Sequence, residues 1–278
     1  MNNKGFVSLV GAGPGDAELM TVKAVRLLQQ AEVVVYDRLV SDDILSLVPA
    51  GVSRISVGKE VGKHCVPQEQ INEIIVNLAK AGRNIVRLKG GDPYMFGRGG
   101  EEVLALKKHH INFEVVPGIT AASGCSSYSG IPLTHRGMSR RVQFITGHFN
   151  DNEPLDLNWQ SIADPQSTLV IYMGLSNLPL VVHSLIDAGL PASTPAAAVQ
   201  NGTTQSQQRV ISRLDQLNDA IHQQRMQAPV MIIIGEVVSL ADELDWFQHS
   251  IEEQRLNNSQ PESNYKESAL HEKNAVYS

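Results

Sequence analysis

Residues 86–102 read VRLKGGDPYMFGRGGEE, a stretch in which an apolar run gives way to two clusters of glycine. Gly90 and Gly91 allow positive φ and let a ligand approach the main chain closely. Pro93 fixes its own φ and favours an extended conformation at Asp92, so GGDP is predicted to be a turn that carries one carboxylate. The stretch therefore predicts a strand, a long loop and a helix, and ordered loops at strand ends are where α/β proteins bind ligands. The alternative interpretation is a surface turn that only connects two elements.

The charge order after the second glycine cluster predicts the helix. Glu101 and Glu102 stand at its start, and Lys107 and Lys108 stand in its last turn. Negative charge at the beginning and positive charge at the end both complement the helix dipole. We therefore expect a helix over roughly the ten residues that follow the loop.

The first part of the chain alternates short apolar runs with stretches of helical periodicity. Thr21 is predicted to cap a helix that runs through Ala31, and Gly82 is predicted to end a helix that begins at Gln68. The apolar runs predict strands at residues 6–10, 33–36, 54–57, 85–88 and 113–116. This order is typical of βαβ units, so we expect a largely parallel sheet with helices on its faces.

The pattern resumes after Pro117 and Gly118, which break the last of these strands. Strands are predicted at residues 142–146, 168–172, 196–199 and 230–234. Between them, apolar spacing predicts one helix near residues 178–186 that Gly189 ends, and another near 214–221. Spacing alone allows one continuous domain across Pro117.

Composition narrows the classes of function. The chain has 278 residues, with 42% hydrophobic and 19% charged, which is ordinary for a soluble globular protein. A net charge of −6 argues against general nucleic-acid binding, and the apolar runs are too short to cross a bilayer. No signal peptide is apparent, and Cys65 and Cys125 have no metal-site spacing, so a reducing cytoplasm is the simplest setting.

The segment GAGPGD, residues 11–16, follows the first predicted strand directly. A dinucleotide fingerprint needs glycine where Asp16 stands, and Pro14 lacks the amide that a phosphate would accept from. The phosphate-loop pattern fails as well, because Gly58 and Lys59 are followed by Glu60. The loop is therefore predicted to bend sharply and lie close to a ligand that is not a phosphate, or else to be only a tight strand-to-helix turn.

Asp37 follows the predicted strand at residues 33–36 directly. A carboxylate at a strand end can hold a ribose, act as a general base or cap a turn. For Lys59, a solvated cation in a loop is the ordinary interpretation of the sequence.

These motifs together resemble the uroporphyrinogen-III C-methyltransferases, which belong to the tetrapyrrole methylases that use S-adenosylmethionine. VRLKGGDPYMFGRGGEE carries most of the resemblance, and it extends through GAGPGD (11–16), YDRLVS (36–41), VVPGITAA (115–122), GIPLTHRG (130–137) and TGH (146–148). The resemblance implies two α/β domains, residues 1–118 and 119–254, with the cofactor cleft between them. Residues 255–278 are polar and aperiodic, and we predict a disordered tail there.

The activity implied is two successive C-methylations of uroporphyrinogen III, through precorrin-1 to precorrin-2, for sirohaem and in some cells cobalamin biosynthesis. S-adenosylmethionine would be converted to S-adenosylhomocysteine without a metal, in a cytoplasmic homodimer without nucleic-acid or membrane partners. Some relatives carry an extra N-terminal domain for dehydrogenation and iron insertion. Because GAGPGD begins at Gly11, we expect that domain and those activities to be missing.

The resemblance also implies residue roles. Asp37 and Lys59 match positions with acid–base roles. Positions that contact the cofactor are matched by Pro14, Gly90, Gly91, Asp92, Met95, Thr120, Ala121, Met173 and Gly202. The family often has a branched aliphatic residue where Met95 stands, which favours a backbone contact there, and a core methionine is the alternative for Met173.

The implied substrate carries eight carboxylates, so cations should line its site. The substrate-binding residues predicted on this basis are Arg38, His135 and Arg136. Arg140 and Arg141 are predicted instead to lie on a solvated face. The alternatives to this function are a methylase acting on a later corrin precursor or on RNA ribose, and a non-catalytic nucleotide-binding regulator.

Overall fold

The computed structural model describes residues 4–58, 66–148 and 157–247, which form two five-stranded sheets. The first sheet is wholly parallel, with strand order β3-β2-β4-β1-β5. Its strands are β1 (Phe6–Gly11), β2 (Val33–Tyr36), β3 (Ser53–Ser56), β4 (Ile85–Lys89) and β5 (Asn112–Val116). The predicted parallel sheet is confirmed, and β4 lies at its centre.

Helices cover both faces of the first sheet. They are α1 (Val22–Gln29), α2 (Asp42–Ser46), α3 (Gln68–Lys80) and α4 (Gly99–Lys108). Successive residues of β4 point to opposite faces, so Ile85 packs on the side of α3 and α4 while Val86 packs on the side of α1 and α2. Thr21 caps α1 as predicted, since its hydroxyl accepts a hydrogen bond from the amide of Ala24.

The second sheet is mixed, with strand order β6-β7-β10-β8-β9. Its strands are β6 (Arg141–Thr146), β7 (Ser167–Tyr172), β8 (Pro195–Gln200), β9 (Gln208–Arg213) and β10 (Val230–Ile234). Only β6 and β7 run parallel, and the remaining pairs are antiparallel. The largely parallel arrangement therefore holds for the first sheet alone.

The second half contains α5 (Ala121–Tyr128), α6 (Trp159–Ile162), α7 (Leu178–Asp187) and α8 (Leu217–Gln223). Short 3-10 turns lie at Ala17–Leu19, Leu175–Asn177, Leu214–Gln216 and Glu236–Leu240. Each apolar run predicted as a strand is a strand, but α2, α5, α6 and β9 were not predicted. None of the helices in the described ranges is long and apolar enough to cross a membrane.

The chain passes from the first sheet to the second between β5 and β6, and α5 lies in this connection. The division into domains at residues 118 and 119 stays a prediction, and the predicted tail lies outside the described residues.

Candidate active site

The loops that follow β1 and β4 are joined by main-chain hydrogen bonds at the carboxyl edge of the first sheet. The amide of Gly91 donates to the carbonyl of Gly13 at 2.7 Å, and the amide of Gly13 donates back at 3.1 Å. Gly91 has φ +68°, and a Cβ placed on Gly118 would lie 2.3 Å from the Gly91 carbonyl oxygen. Glycine is therefore required here both for conformation and for close approach.

The GAGPGD loop also touches the second half of the chain. The amide of Asp16 donates to the hydroxyl of Thr203 at 3.1 Å, and the hydroxyl of Tyr128 donates to Asp16 Oδ2 at 2.8 Å. Burial, followed by this bond to Asp16, raises the pKa of Tyr128 to about 12. The loop after β1 is thus fixed against α5 and against the loop between β8 and β9.

A cavity of about 650 Å³ lies at this junction and is lined by residues of both halves. Five residues predicted for the site line it, namely Pro14, Arg38, Ala121, Met173 and Gly202. Met173 is half exposed and has φ +54°, so it is not the core methionine of the alternative interpretation. These five residues come from segments far apart in the chain, and the fold brings them to the wall of one cavity.

The other predicted cofactor residues lie beside the cavity and do not line it. These are Gly90, Gly91, Asp92, Met95 and Thr120. Asp92 Oδ2 accepts from the amide of Gly118 at 3.1 Å and Oδ1 from that of Tyr94 at 2.8 Å, so its carboxylate fastens the loop internally. The hydroxyl of Thr120 bonds to that of Tyr172, which lines the cavity.

The predicted substrate residues are not all brought together. Arg38 is exposed and lines the cavity, whereas His135 and Arg136 are exposed in a tight turn before β6 and do not line it. Arg141 pairs with Asp164 at 2.6 Å and donates to the hydroxyl of Ser167, which agrees with its predicted place on a solvated face.

Asp37 lies directly after β2, and its side chain is 27% exposed. Arg87 Nη2 lies 2.6 Å from Asp37 Oδ1, and Lys89 Nζ lies 3.6 Å from Oδ2. Neighbouring residues 38–43 line the cavity, although Asp37 itself does not. Lys59, the other predicted catalytic residue, lies outside the described residues.

Sequence reasoning missed the partners of Asp37. Arg87 and Lys89 are 1% and 3% exposed, and both pair with the buried carboxylate of Glu102 in α4. Glu102 was predicted only to complement the helix dipole, but its carboxylate is an ion-pair partner inside the protein. The available signal was the presence of two cations inside a strand that is otherwise apolar.

An aromatic cluster beside the cavity was also missed. The ring of Tyr172 lies 4.7 Å from that of Phe96 and 6.3 Å from that of Phe144, measured between centroids. Phe96 and Phe144 remain 38% and 37% exposed, so the cluster offers apolar surface to a ligand. Its members come from three separate segments, and no local pattern marks them.

The fold and the site define an α/β protein of two sheets with a small-molecule cavity where the glycine-rich loops of both halves meet. The described residues contain no group of His, Cys, Asp or Glu side chains arranged to hold a metal ion. The chain belongs to the Tetrapyrrole (Corrin/Porphyrin) Methylases, whose family model matches residues 7–218.

Individual relatives agree with this family. A siroheme synthase of Stutzerimonas stutzeri (strain A1501) is 54% identical over 244 residues, which are 88% of this chain and 52% of that protein. The chain thus spans about half the length of the curated relatives it matches.

Solved structures from Thermus thermophilus cover the chain more evenly. Its native uroporphyrin III C-methyl transferase has 40% identity and a TM-score of 0.71, covering 85% of this chain and 100% of that one. The same enzyme complexed with S-adenyl homocysteine has 39% identity and a TM-score of 0.72, covering 84% and 93% respectively.

Proposed function

We propose that the protein transfers two methyl groups from S-adenosylmethionine to carbon atoms of uroporphyrinogen III, through precorrin-1 to precorrin-2, for sirohaem and in some cells cobalamin biosynthesis. The observation that carries the proposal is the match to nearly the whole of the Thermus thermophilus proteins, at 40% and 39% identity. The siroheme synthases support the same pathway through the half that this chain matches.

The residues at the junction fit S-adenosylmethionine, which supplies the methyl group when it is bound. The cavity of about 650 Å³ is within the usual range for small-molecule sites. Met173, Asn201 and Thr203 adopt φ values of +54°, +49° and +69° on loops at the cavity, although none of them is glycine. Backbone strain of this kind concentrates at ligand sites, so the main chain here is held in shape for a ligand.

Two groups of residues would hold the cofactor. Pro14, Ala121, Met173 and Gly202 would contact it directly, because they line the cavity. The residues of the adjoining loops would shape the wall behind them, and these are Gly90, Gly91, Asp92, Met95 and Thr120.

The chemistry needs a carbon nucleophile held in line with the donor, exclusion of water and removal of one proton. The aromatic cluster at Tyr172 provides an apolar wall for a macrocycle, and Arg38 provides a cation for its carboxylates. We assign His135 and Arg136 to further carboxylates, Asp37 to proton acceptance and Lys59 to a supporting acid–base role.

The test is an anaerobic incubation of the protein with S-adenosylmethionine and uroporphyrinogen III, followed by mass spectrometry of the tetrapyrrole. A gain of two methyl groups is expected, and a reaction without protein is the control. No gain on uroporphyrinogen III, together with methylation of a later corrin precursor, would contradict the proposal and favour the related branch of the family.

We also propose that the protein is a cytoplasmic homodimer without nucleic-acid partners. The net charge of −6 and the buried Cys125 thiol, whose pKa burial raises to about 12, suit a cytoplasmic protein without nucleic-acid partners. The resemblance to the family supports a homodimer. Sedimentation equilibrium would measure this, and a monomer at all concentrations would contradict it.

A further inference from the structure

The central strand of the first sheet carries two cations where apolar side chains are expected. Arg87 and Lys89 alternate with Val86 and Leu88, so they share the face of β4 that packs against α3 and α4. Both are almost wholly buried, at 1% and 3% exposed. Burying a cation is costly unless it is paired and hydrogen-bonded, so these two residues need an explanation beyond packing.

Glu102 is the inner anchor of both cations. Its Oε1 accepts from Arg87 Nε at 3.1 Å, from Arg87 Nη2 at 3.0 Å and from Lys89 Nζ at 2.9 Å. Arg87 Nη1 also donates to the carbonyl of Leu88 at 3.1 Å. The guanidinium plane is therefore fixed by one carboxylate and by the backbone.

Asp37 forms the outer end of the same cluster. Its Oδ1 lies 2.6 Å from Arg87 Nη2, and among the described residues its ion-pair partners are Arg87 and Lys89. Asp37 is 27% exposed while Glu102 is fully buried, so the cluster leads from the protein interior to a partly open carboxylate.

We propose that Arg87, Lys89 and Glu102 are positioning residues that set the orientation of the Asp37 carboxylate for proton acceptance. The inference rests on the proposed function, since it gives Asp37 a role in methylation. The competing explanation is that the cluster serves only the folding of the first half, in which case its loss would lower activity whatever residue stood at position 37.

A double-mutant cycle separates the two explanations. Arg87→Met keeps an unbranched apolar stem and removes the guanidinium fork. We expect kcat for uroporphyrinogen III to fall by roughly 10²-fold, as misplacement of a reacting group does. Cofactor affinity by calorimetry should change little. In an Asp37→Asn background the same substitution should cost nothing more, because residues that act as a unit are not additive.

Arg209 offers a matched control in the second half. Its side chain is 11% exposed, it pairs with Asp242 and Asp245 at 2.9 and 3.1 Å, and it donates to the carbonyl of Ser129 at 2.7 Å. Arg209→Met should lower the melting temperature but leave kcat nearly unchanged, both in the parent protein and in the Asp37→Asn protein. Arg87→Lys provides a second variant if Arg87→Met does not fold. It retains the positive charge, so we expect a smaller loss of kcat. In the Asp37→Asn background, this loss should also disappear.

Two outcomes would overturn the proposal. One is a loss of kcat from Arg87→Met that is equally large in the parent protein and in the Asp37→Asn protein. If Arg87→Met does not fold, the same outcome from Arg87→Lys would count. The other is a crystal structure of the folded Arg87 variant in which the Asp37 carboxylate has not moved. The crystal structure needs no turnover, so it tests the orientation even if the parent protein fails to methylate uroporphyrinogen III, a result that would contradict the proposed function itself.

Discussion

Asp37 is a single carboxylate whose neighbours come from distant parts of the chain. The residue that pairs with its Oδ1 lies 50 positions later in sequence. A carboxylate after β2 can be a ribose ligand, a general base or a cap, and the ion pair with Arg87 is compatible with each role. A substitution that keeps its shape distinguishes them.

Asp37→Asn retains size and part of the hydrogen bonding but cannot accept a proton near neutral pH. If Asp37 is the base, turnover should fall by roughly 10²–10⁴-fold while the dissociation constant of S-adenosylmethionine, measured by calorimetry, changes little. Asp164→Asn is the matched control, because Asp164 is also paired with an arginine at 2.6 Å but lies in the connection before β7 of the second sheet. A raised dissociation constant with rate recovery at saturating cofactor would indicate a ribose ligand instead.

At the scale of elements, the loop between β4 and α4 is the part of the site with the strictest backbone requirement. Gly91 both donates to and accepts from Gly13, so the position of one loop fixes that of the other. Loops that are fixed in this way lose little further freedom when a ligand binds.

Gly91→Val should abolish measurable S-adenosylmethionine binding, because a β-branched residue disfavours φ +68° and its Cβ would lie against the main chain of Ala121 and Thr120, at 3.6 and 4.0 Å. Gly51→Val is the control, since Gly51 also has positive φ, at +91°, but has nothing within 4 Å of an added Cβ. Both variants should lose about 1–2 kcal/mol of stability to left-handed strain, but only the first should lose affinity in calorimetry. Normal affinity in a folded Gly91→Val protein would place the cofactor elsewhere.

At the scale of the whole molecule, the two halves are held together at Tyr128. Its hydroxyl donates to Asp16 in the first half, and its carbonyl accepts from Gln207 Nε2 at 2.8 Å. The walls of the cavity belong to both halves, so the contact between Tyr128 and Asp16 also constrains the distance between those walls.

Tyr128→Phe should lower the free energy of unfolding by about 1.5–3 kcal/mol, the usual contribution of a hydrogen bond to a charged group. The pKa of Tyr128 is raised to about 12, chiefly by burial, so the folded state keeps this proton at higher pH than the unfolded state does. The contribution of the Tyr128 hydroxyl to the free energy of unfolding is therefore complete below about pH 10 and is lost as pH rises to about 12. Urea unfolding at several pH values should show the deficit shrinking over that range.

Tyr94→Phe is the control for this series, because Tyr94 is 59% exposed. It should match the parent protein at every pH. An equal deficit in the two variants, or a deficit in Tyr128→Phe that does not depend on pH, would contradict the assignment.

Local patterns predicted the strands and the glycine loops, because an apolar run or a positive φ is a requirement of the residue itself. They did not predict β9, an edge strand whose sequence QRVISR has only two adjacent apolar residues, or α5, whose small residues lack apolar periodicity. The short helices α2 and α6 were not predicted either. Strand direction in the second sheet was also missed, since it depends on connections and not on composition. The cluster at Glu102 and the aromatic cluster at Tyr172 form only when separate elements pack, so no single segment specifies them.

The order of strands in the first sheet has a consequence for synthesis. β1 lies between β4 and β5 in the sheet, and both of these strands are synthesised much later. β1 therefore has no strand to pair with until Lys89, the last residue of β4, has left the ribosome. At about 5–20 residues per second, the nascent chain carries an apolar, unpaired β1 for several seconds. The strand that begins the GAGPGD loop is therefore the segment of the first sheet that most needs a chaperone while translation continues.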